Sequence, residues 1–363
     1  MKIPIPAHIS GIKPYVPGKP VAEVERELGL KGTIKMASNE SPLGPSPKAM
    51  EAVRGILDQL HIYPEGGGFY LREALGKHFG IARQQVILGN GSVELVEIAA
   101  RALLHSEANA VFSAGSFAMY PVACQIAAGP AKAVPMKDRN HDLQGLLDAI
   151  DDRTRLVILD NPINPTGRHT ALKDMVTFLE RVPERVLVIL DEAYKEFADA
   201  PDYGTTQGFM DRFPNLMVLG TFSKAYGLAG LRIGYGFAQP EAIAVLNTVR
   251  SPFNTNAVAQ VAGIAALDDQ DYVRRYVALN RVERAYLTAG TQALGLPVTP
   301  SQANFIFTDF PMTGDVAFHK LLHEGVIVRP MMGNGWPHSL RVSVHAREGN
   351  DRFLEAARRV LRG

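Results

Sequence analysis

Several things are scarce in this sequence, and each shortage excludes a class of protein. It holds one cysteine, Cys124, in 363 residues. An intrachain disulfide is therefore impossible, and no Cys/His cluster has the spacing of a zinc site. A reducing compartment is the natural expectation. Charge of one sign is also scarce: Lys and Arg number 38 against 37 Asp and Glu, a formal net charge of +1. An extended nucleic-acid surface needs surplus cation to displace counterions, so this balance argues against one. No apolar run approaches the ~20 residues of a membrane helix. The opening segment, MKIPIPAHISGIKP, has prolines where a signal peptide needs a continuous apolar run. A soluble, cytoplasmic protein is expected.

What is present suits a globular enzyme. Hydrophobic residues make up 46% and charged residues 21%, which rules out disorder throughout. The length predicts two or three domains of roughly 150 residues each, or one large α/β body with an appendage. Residues 1–44 concentrate Pro14, Pro17, Gly18, Pro20, Pro42 and Gly44. They read as an extended arm, broken by one helix near Val21–Leu28, that packs with a small domain or a partner subunit.

Residues 45–255 read as a large α/β domain. Its predicted strands are Gln85–Leu88, Ala110–Ser113, Lys132–Pro135, Arg155–Leu159, Arg185–Leu190, Leu216–Gly220 and Arg232–Phe237. Continuous runs such as LVIL and VLVIL suit strands of a mostly parallel sheet, buried on both faces by crossover helices. Residues 256–363 read as a linking helical stretch, Asn256–Leu294, and a smaller α+β domain. That domain holds strands near Asn304–Phe307 and Leu340–Val344 and an amphipathic terminal helix, Arg352–Leu361.

Chemistry concentrates where strands end. Ser223-Lys224-Ala225-Tyr226-Gly227 runs on to Arg232 and Gly234, just after an apolar strand. A surface lysine is the ordinary alternative. Here, however, Ser223 and Arg232 could seat a phosphate, and glycines let the backbone approach a ligand. A lysine beside such a seat is a candidate imine-forming nucleophile. Asp191-Glu192-Ala193-Tyr194 follows VLVIL directly. An acid there is a loop carboxylate or helix cap, or the partner of a pyridinium nitrogen. Asp160-Asn161-Pro162-Ile163-Asn164-Pro165-Thr166-Gly167 is by itself a turn, yet beside the other two it makes Asn164 a donor to a ring oxygen. Gly89-Asn90-Gly91-Ser92 opens a buried helix whose first N–H groups could meet a phosphate, although a tight turn explains those glycines equally well.

Aromatic residues and arginines complete the set. Phe117, in Ser116-Phe117-Ala118-Met119-Tyr120, is core or a cover for a planar ring. Tyr63 sits in a glycine-rich loop, which is otherwise a simple turn. Arg329 and Arg341 each lie among apolar residues, where a guanidinium needs an anionic partner or must reach outward.

Together, Gly91-Ser92, Asn164-Pro165-Thr166-Gly167, Asp191-Glu192-Ala193-Tyr194, Ser223-Lys224 and Arg232 resemble the fold-type I pyridoxal-phosphate aminotransferases. The arm Pro14-Tyr15-Val16-Pro17-Gly18, the pair Tyr63-Pro64 and Gly325-Val326-Ile327-Val328-Arg329-Pro330 resemble the histidinol-phosphate aminotransferase family. The similarity runs from about residue 10 to the end. It implies the fold-type I architecture, pyridoxal 5'-phosphate as cofactor, and a homodimer with active sites at the subunit interface. By position, Lys224 would hold the cofactor aldehyde, and Asp191 would meet the pyridine nitrogen. Asn164 and Tyr194 would meet the ring hydroxyl. Gly91, Ser92, Thr221, Ser223 and Arg232 would surround the phosphate. Phe117 would stack on the ring, and Tyr63 would reach the partner's cofactor. Tyr15, Asn164, Arg329 and Arg341 would contact substrate. No metal is implied.

The resemblance implies conversion of histidinol phosphate and 2-oxoglutarate to imidazole-acetol phosphate and glutamate. Lys224 would move a proton from the substrate carbon to the cofactor. An aromatic amino-acid aminotransferase and a decarboxylase of a phosphorylated amino acid are the rivals on this scaffold. A regulator without catalysis would carry an added DNA-binding segment that this chain has no room for. Ile163, Val93, Ser116, Glu65 and His345 depart from the family pattern, and His345, close behind Arg341, is expected to bear on substrate choice.

Overall fold

The computed structural model describes residues 3–14 and 18–362. Its strands are β1 (Ile34–Lys35), β2 (Val86–Gly89), β3 (Asn109–Ser113), β4 (Ala131–Val134), β5 (Thr154–Asp160), β6 (Leu187–Asp191), β7 (Leu216–Thr221), β8 (Gly234–Phe237), β9 (Val298–Thr299), β10 (Phe305–Asp309), β11 (Val326–Ile327), β12 (Arg329–Pro330) and β13 (Ser339–Ser343). Seven of them form one sheet in the order β2-β8-β7-β6-β5-β3-β4. All its neighbours run parallel except β8, which is antiparallel to both β2 and β7.

Alternation along these strands sends side chains to two cores. Val157, Leu159, Val188, Leu190 and Val218 enter one apolar cluster. Leu156, Ile158, Ile189, Met217 and Leu219 enter the other, on the opposite face. Strands buried on both faces need apolar residues at every position, which is why they read as unbroken hydrophobic runs. Helices Phe69–Phe79 and Leu172–Arg181 contribute to the first core, and Ser92–Leu103 and Met119–Ile126 to the second.

The predicted strand 232–237 begins two residues late. Arg232 instead closes a short 3-10 turn with φ 54° and ψ 58°, and β8 starts at Gly234. The terminal helix spans Arg347–Arg362, starting earlier than its periodicity suggests.

The smaller unit pairs β12-β13-β10-β9 in antiparallel fashion. Its core gathers Ile306, Leu340, Val342 and Phe353 with Met36 from the N-terminal stretch. That stretch is not arm throughout. β1 pairs in parallel with β11, and Met36, Ala37 and Asn39 are buried. The helical stretch divides into Ala257–Leu267 and Gln270–Ala293. Ala259, Ala262 and Tyr272 join the core of the large sheet, whereas Leu287 joins that of the small unit. Among the described residues, no helix is long and apolar enough to cross a membrane.

Candidate active site

The carboxyl edge of the large sheet supplies a floor. β5, β6 and β7 end on Asp160, Asp191 and Thr221, with Asp160 directly opposite Asp191 in register. A parallel sheet places ligands at this edge, because strand ends and the loops that follow converge there. Above it lies a cavity of about 320 Å³. Its lining includes Ser92, Phe117, Asn164, Asp191, Tyr194, Thr221, Ser223, Lys224, Arg232, Arg329 and Arg341. Eleven expected site residues thus meet around one space, drawn from positions 92 to 341.

Lys224 approaches the cavity from the turn after β7. Its Nζ donates to the Ser38 carbonyl at 3.1 Å. Burial lowers its pKa from 10.5 to about 7, with the positive charges of Arg341 and Arg232 adding to the effect. Asp191 is pushed the other way: burial raises its pKa to about 6, against hydrogen bonds that favour the ion. Its Oδ1 accepts the Ala193 N–H at 3.1 Å, and its Oδ2 accepts the Tyr120 hydroxyl at 3.4 Å. The site therefore holds a basic amine that sheds its proton easily and an acid that keeps its own longer than usual. Perturbed pairs of this kind mark chemistry more often than structure.

An anion seat lies to one side. Helix Ser92–Leu103 begins after Gly91, whose φ of 80° and ψ of 164° turn the chain so that the first N–H groups face outward. Arg232 leans over this helix start. A Cβ at Gly91 would lie 2.4 Å from Arg232 Nη2, so only glycine permits the approach. Arg232 Nη1 donates to the Ala229 carbonyl at 3.2 Å and to Ser223 Oγ at 3.4 Å. The left-handed backbone at Arg232 aims the side chain back across the turn.

The small unit supplies the wall. Arg329 and Arg341 are register partners on β12 and β13. Arg341 Nη1 donates to Asn164 Oδ1 at 2.6 Å, and Nη2 to the Ala37 carbonyl at 2.7 Å. Tyr194 accepts the Asn39 side-chain amide on its hydroxyl at 3.0 Å, and burial raises its pKa.

Three expected residues stand elsewhere. Gly91 borders the cavity through Arg232 rather than lining it. Tyr63 is 80% exposed and stacks on Phe253 at 4.8 Å, away from the cavity. Tyr15 lies outside the described residues. His345 does not line the cavity, and its ring packs against Gly349 at the start of the terminal helix. Of the four other departures from the family pattern, Val93 lines the cavity, and Ile163, Ser116 and Glu65 do not.

Sequence reading gave no role of their own to Asn39, Tyr120 and Asp160. All three line the cavity, except that Asn39 also clamps it: its N–H donates to Ser343 Oγ at 2.8 Å, and its carbonyl accepts Asn304 Nδ2 at 3.1 Å. The available signal was a polar triplet, Ser38-Asn39-Glu40, following the apolar Met36-Ala37.

The family model described as "Aminotransferase class I and II" matches residues 31–356. "Histidinol-phosphate aminotransferase 1" of Nitrosococcus oceani is 46% identical over 98% of this chain and 96% of its own length. "Histidinol-phosphate aminotransferase 2" of Pseudomonas fluorescens is 48% identical over 97% and 96%. Among solved structures, the histidinol-phosphate aminotransferase of Sinorhizobium meliloti, in complex with pyridoxal-5'-phosphate, superposes with a TM-score of 0.89. It shares 29% identity and covers 99% of this chain and 97% of its own. The cavity with its paired amine and acid thus sits in a chain that belongs to the class I and II aminotransferases, in the branch of the histidinol-phosphate aminotransferases.

Proposed function

We propose that this chain transfers an amino group between histidinol phosphate and 2-oxoglutarate, yielding imidazole-acetol phosphate and glutamate, with pyridoxal 5'-phosphate as cofactor. One observation carries the reading: an amine and a buried acid from the edge of the large sheet and two arginines from the small sheet line a single cavity. Near-full-length relatives bearing that enzyme's name support it.

The residues fit the cofactor. A phosphate suits the helix start at Ser92 under Arg232, with Ser223 and Thr221 beside it. A Cβ at Gly234 would come 2.3 Å from the Ser92 nitrogen, so this cradle is close because two glycines leave it room. Asp191 suits a protonated ring nitrogen, since a facing cation would restore its ionised form. Asn164 and Tyr194 suit the ring hydroxyl, and Phe117 suits a flat ring face. Bound there, pyridoxal phosphate supplies an aldehyde that captures amines and a ring that accepts electrons.

The chain's own groups do the rest. With its pKa near 7, Lys224 has a large neutral fraction at neutral pH, so its nitrogen can act as nucleophile. With the cofactor held there, the Lys224 Nζ would take the proton from the substrate carbon as base and return it as acid to the cofactor carbon two atoms away. Arg329 and Arg341 hold the far anion. The two stand opposite each other on adjacent strands, and both line the cavity, so a phosphate or carboxylate can meet them together. A guanidinium fork serves both anions, which the two half-reactions require.

The same reading makes the chain a cytoplasmic homodimer with shared sites. An exposed apolar patch, Leu57, Leu60, Ile62, Tyr63, Phe69 and Tyr70, supports an interface there. It also divides the chain into an N-terminal segment (1–44) whose residues 34–36 pack into the small unit, a large cofactor-binding domain (45–255), and a linking helix with a small domain (256–363). The test is a panel of amine donors with 2-oxoglutarate, following glutamate. Histidinol phosphate should give the highest kcat/KM. Preference for phenylalanine, or carbon dioxide release without 2-oxoglutarate, would overturn the assignment.

A further inference from the structure

Asp160 has a place in the site that the reading above leaves unused. It ends β5 exactly one strand over from Asp191, in register, and both acids are buried and line the cavity. Asp160 Oδ2 accepts the Asn164 backbone N–H at 2.7 Å. Oδ1 is shut off from water and has no hydrogen-bond partner. An ionised carboxylate would leave that oxygen dry and unsatisfied, which is costly.

The groups around it offer no compensating charge. His141 Nε2 lies 3.7 Å from Oδ1. That ring is already engaged: Nε2 meets the Asp160 carbonyl at 2.8 Å, and Nδ1 meets the Ser113 hydroxyl at 2.7 Å. A neutral imidazole meets both contacts, with Nε2–H donating to the carbonyl and Nδ1 accepting from Ser113. Burial pushes the His141 pKa down to about 4, in agreement. From the neighbouring elements, Tyr120, Asp191 and Tyr194 face the same space, and burial raises the pKa of each. None is a cation. Two carboxyls placed this way do not both ionise. Burial, with the Asp191 charge, drives the Asp160 pKa well above the carboxylate range.

We propose that Asp160 is a positioning residue: a neutral carboxylic acid whose Oδ1–H donates to the Asp191 carboxylate and holds it in place. The proposal rests on the reading that Asp191 receives the cofactor's ring nitrogen. The orphaned oxygen then has a function, because it carries the proton. The pair bears one negative charge, matching the single positive charge of a protonated ring nitrogen. Through Oδ2 the same side chain fixes the backbone of Asn164, so one acid orients two groups that face the ring. His141, held by Ser113, packs behind the Asp160 carboxyl.

Infrared difference spectra, wild type minus Asp160→Asn, test this on apoprotein and on protein loaded with pyridoxal phosphate. At neutral pH both should contain the carbonyl band of a protonated carboxylic acid. Carboxylate bands in its place would overturn the proposal. Rescue supplies a second readout. Asp160→Asn keeps an acceptor for Asn164 and a donor for Asp191, so it should bind pyridoxal phosphate as wild type does, with an unchanged pH midpoint of the visible band. Asp160→Ala loses both contacts and should weaken binding about tenfold or more. Equal loss in both variants would overturn the proposal. Failure of the wild type to bind pyridoxal phosphate would instead refute the proposed function, while the apoprotein spectrum would still decide where the proton is.

Discussion

Removing the buried amine should stabilise the apoprotein, and by an amount that depends on pH. Lys224 carries its charge into a site where burial and two arginines oppose it. Its pKa falls from 10.5 to about 7 in the folded state. Between those values the unfolded chain binds the proton and the folded chain does not, so stability from this group rises with pH across the window. Below pH 7 both states are protonated and the full penalty of the buried charge is present. Above 10.5 both are neutral and the penalty is gone.

The gap from 10.5 to about 7 sets a ceiling of about 5 kcal/mol. The side chain retains some access to water, which reduces the effect to ~1–3 kcal/mol. Lys224→Met keeps the length and most of the volume while deleting the charge. It also deletes the hydrogen bond to the Ser38 carbonyl, which costs about 1 kcal/mol at every pH. Urea unfolding of both apoproteins at pH 6.5, 8 and 9.5 gives the comparison. The advantage of the variant should be largest at the lowest pH and shrink steadily as pH rises. A difference that stayed flat across this range would refute the argument that Lys224 is a desolvated cation.

Asp191→Asn should lower turnover by about 10²–10⁴, because an amide cannot hold a ring nitrogen in its protonated form; a loss under tenfold in steady-state kinetics would count against its role. Gly91→Ala should weaken pyridoxal phosphate binding while the fold persists, since the new Cβ would displace Arg232 and meet a φ of 80°; fluorescence titration of the apoprotein measures it. If Tyr63 serves the partner's site, Lys224→Ala and Tyr63→Ala chains are each inactive, yet their mixture contains hybrid dimers with one intact site. Mixing and re-equilibration should restore about a quarter of wild-type activity, and an activity no greater than the sum of the parts would exclude shared sites.

The parts of the site that were legible in sequence are those where one short segment carries both its structural and its chemical signal. Asp191 and Lys224 each follow a run of apolar residues that can only be a buried strand, and the change from apolar to polar marks the strand's carboxyl end. Helix Val21–Leu28 was legible for the same local reason. Asp160 was visible as a strand end, but its importance comes from the register that sets it against Asp191, 31 positions later. Local periodicity contains no register. Asn39 is harder still, because its partners Tyr194, Ser343 and Asn304 lie 155 to 304 positions away. Its segment reads as arm because it is short and flanked by prolines, while its burial is decided by β11 at the far end of the chain. His345 shows the converse. Proximity to Arg341 in sequence suggested a bearing on substrate choice, but β13 ends between them, and the turn carries the imidazole onto the terminal helix.

The division of the site between two bodies has a consequence for how one pocket meets two anions. The floor belongs to the large sheet, and the wall to β12, β13 and residues 36–40. Arg341 joins the two, since its two terminal nitrogens hold Asn164 Oδ1 on one side and the Ala37 carbonyl on the other. Arg329 stands opposite Arg341 on the neighbouring strand, so an anion held on that wall meets a side chain already tied to both bodies. A phosphate ester and a dicarboxylate differ in shape and length, but a guanidinium fork takes either one, because each offers an acceptor pair of negative charge. The pocket can therefore be strict about whether an anion is present and tolerant about which one, as an enzyme that alternates between two dissimilar substrates in one site requires.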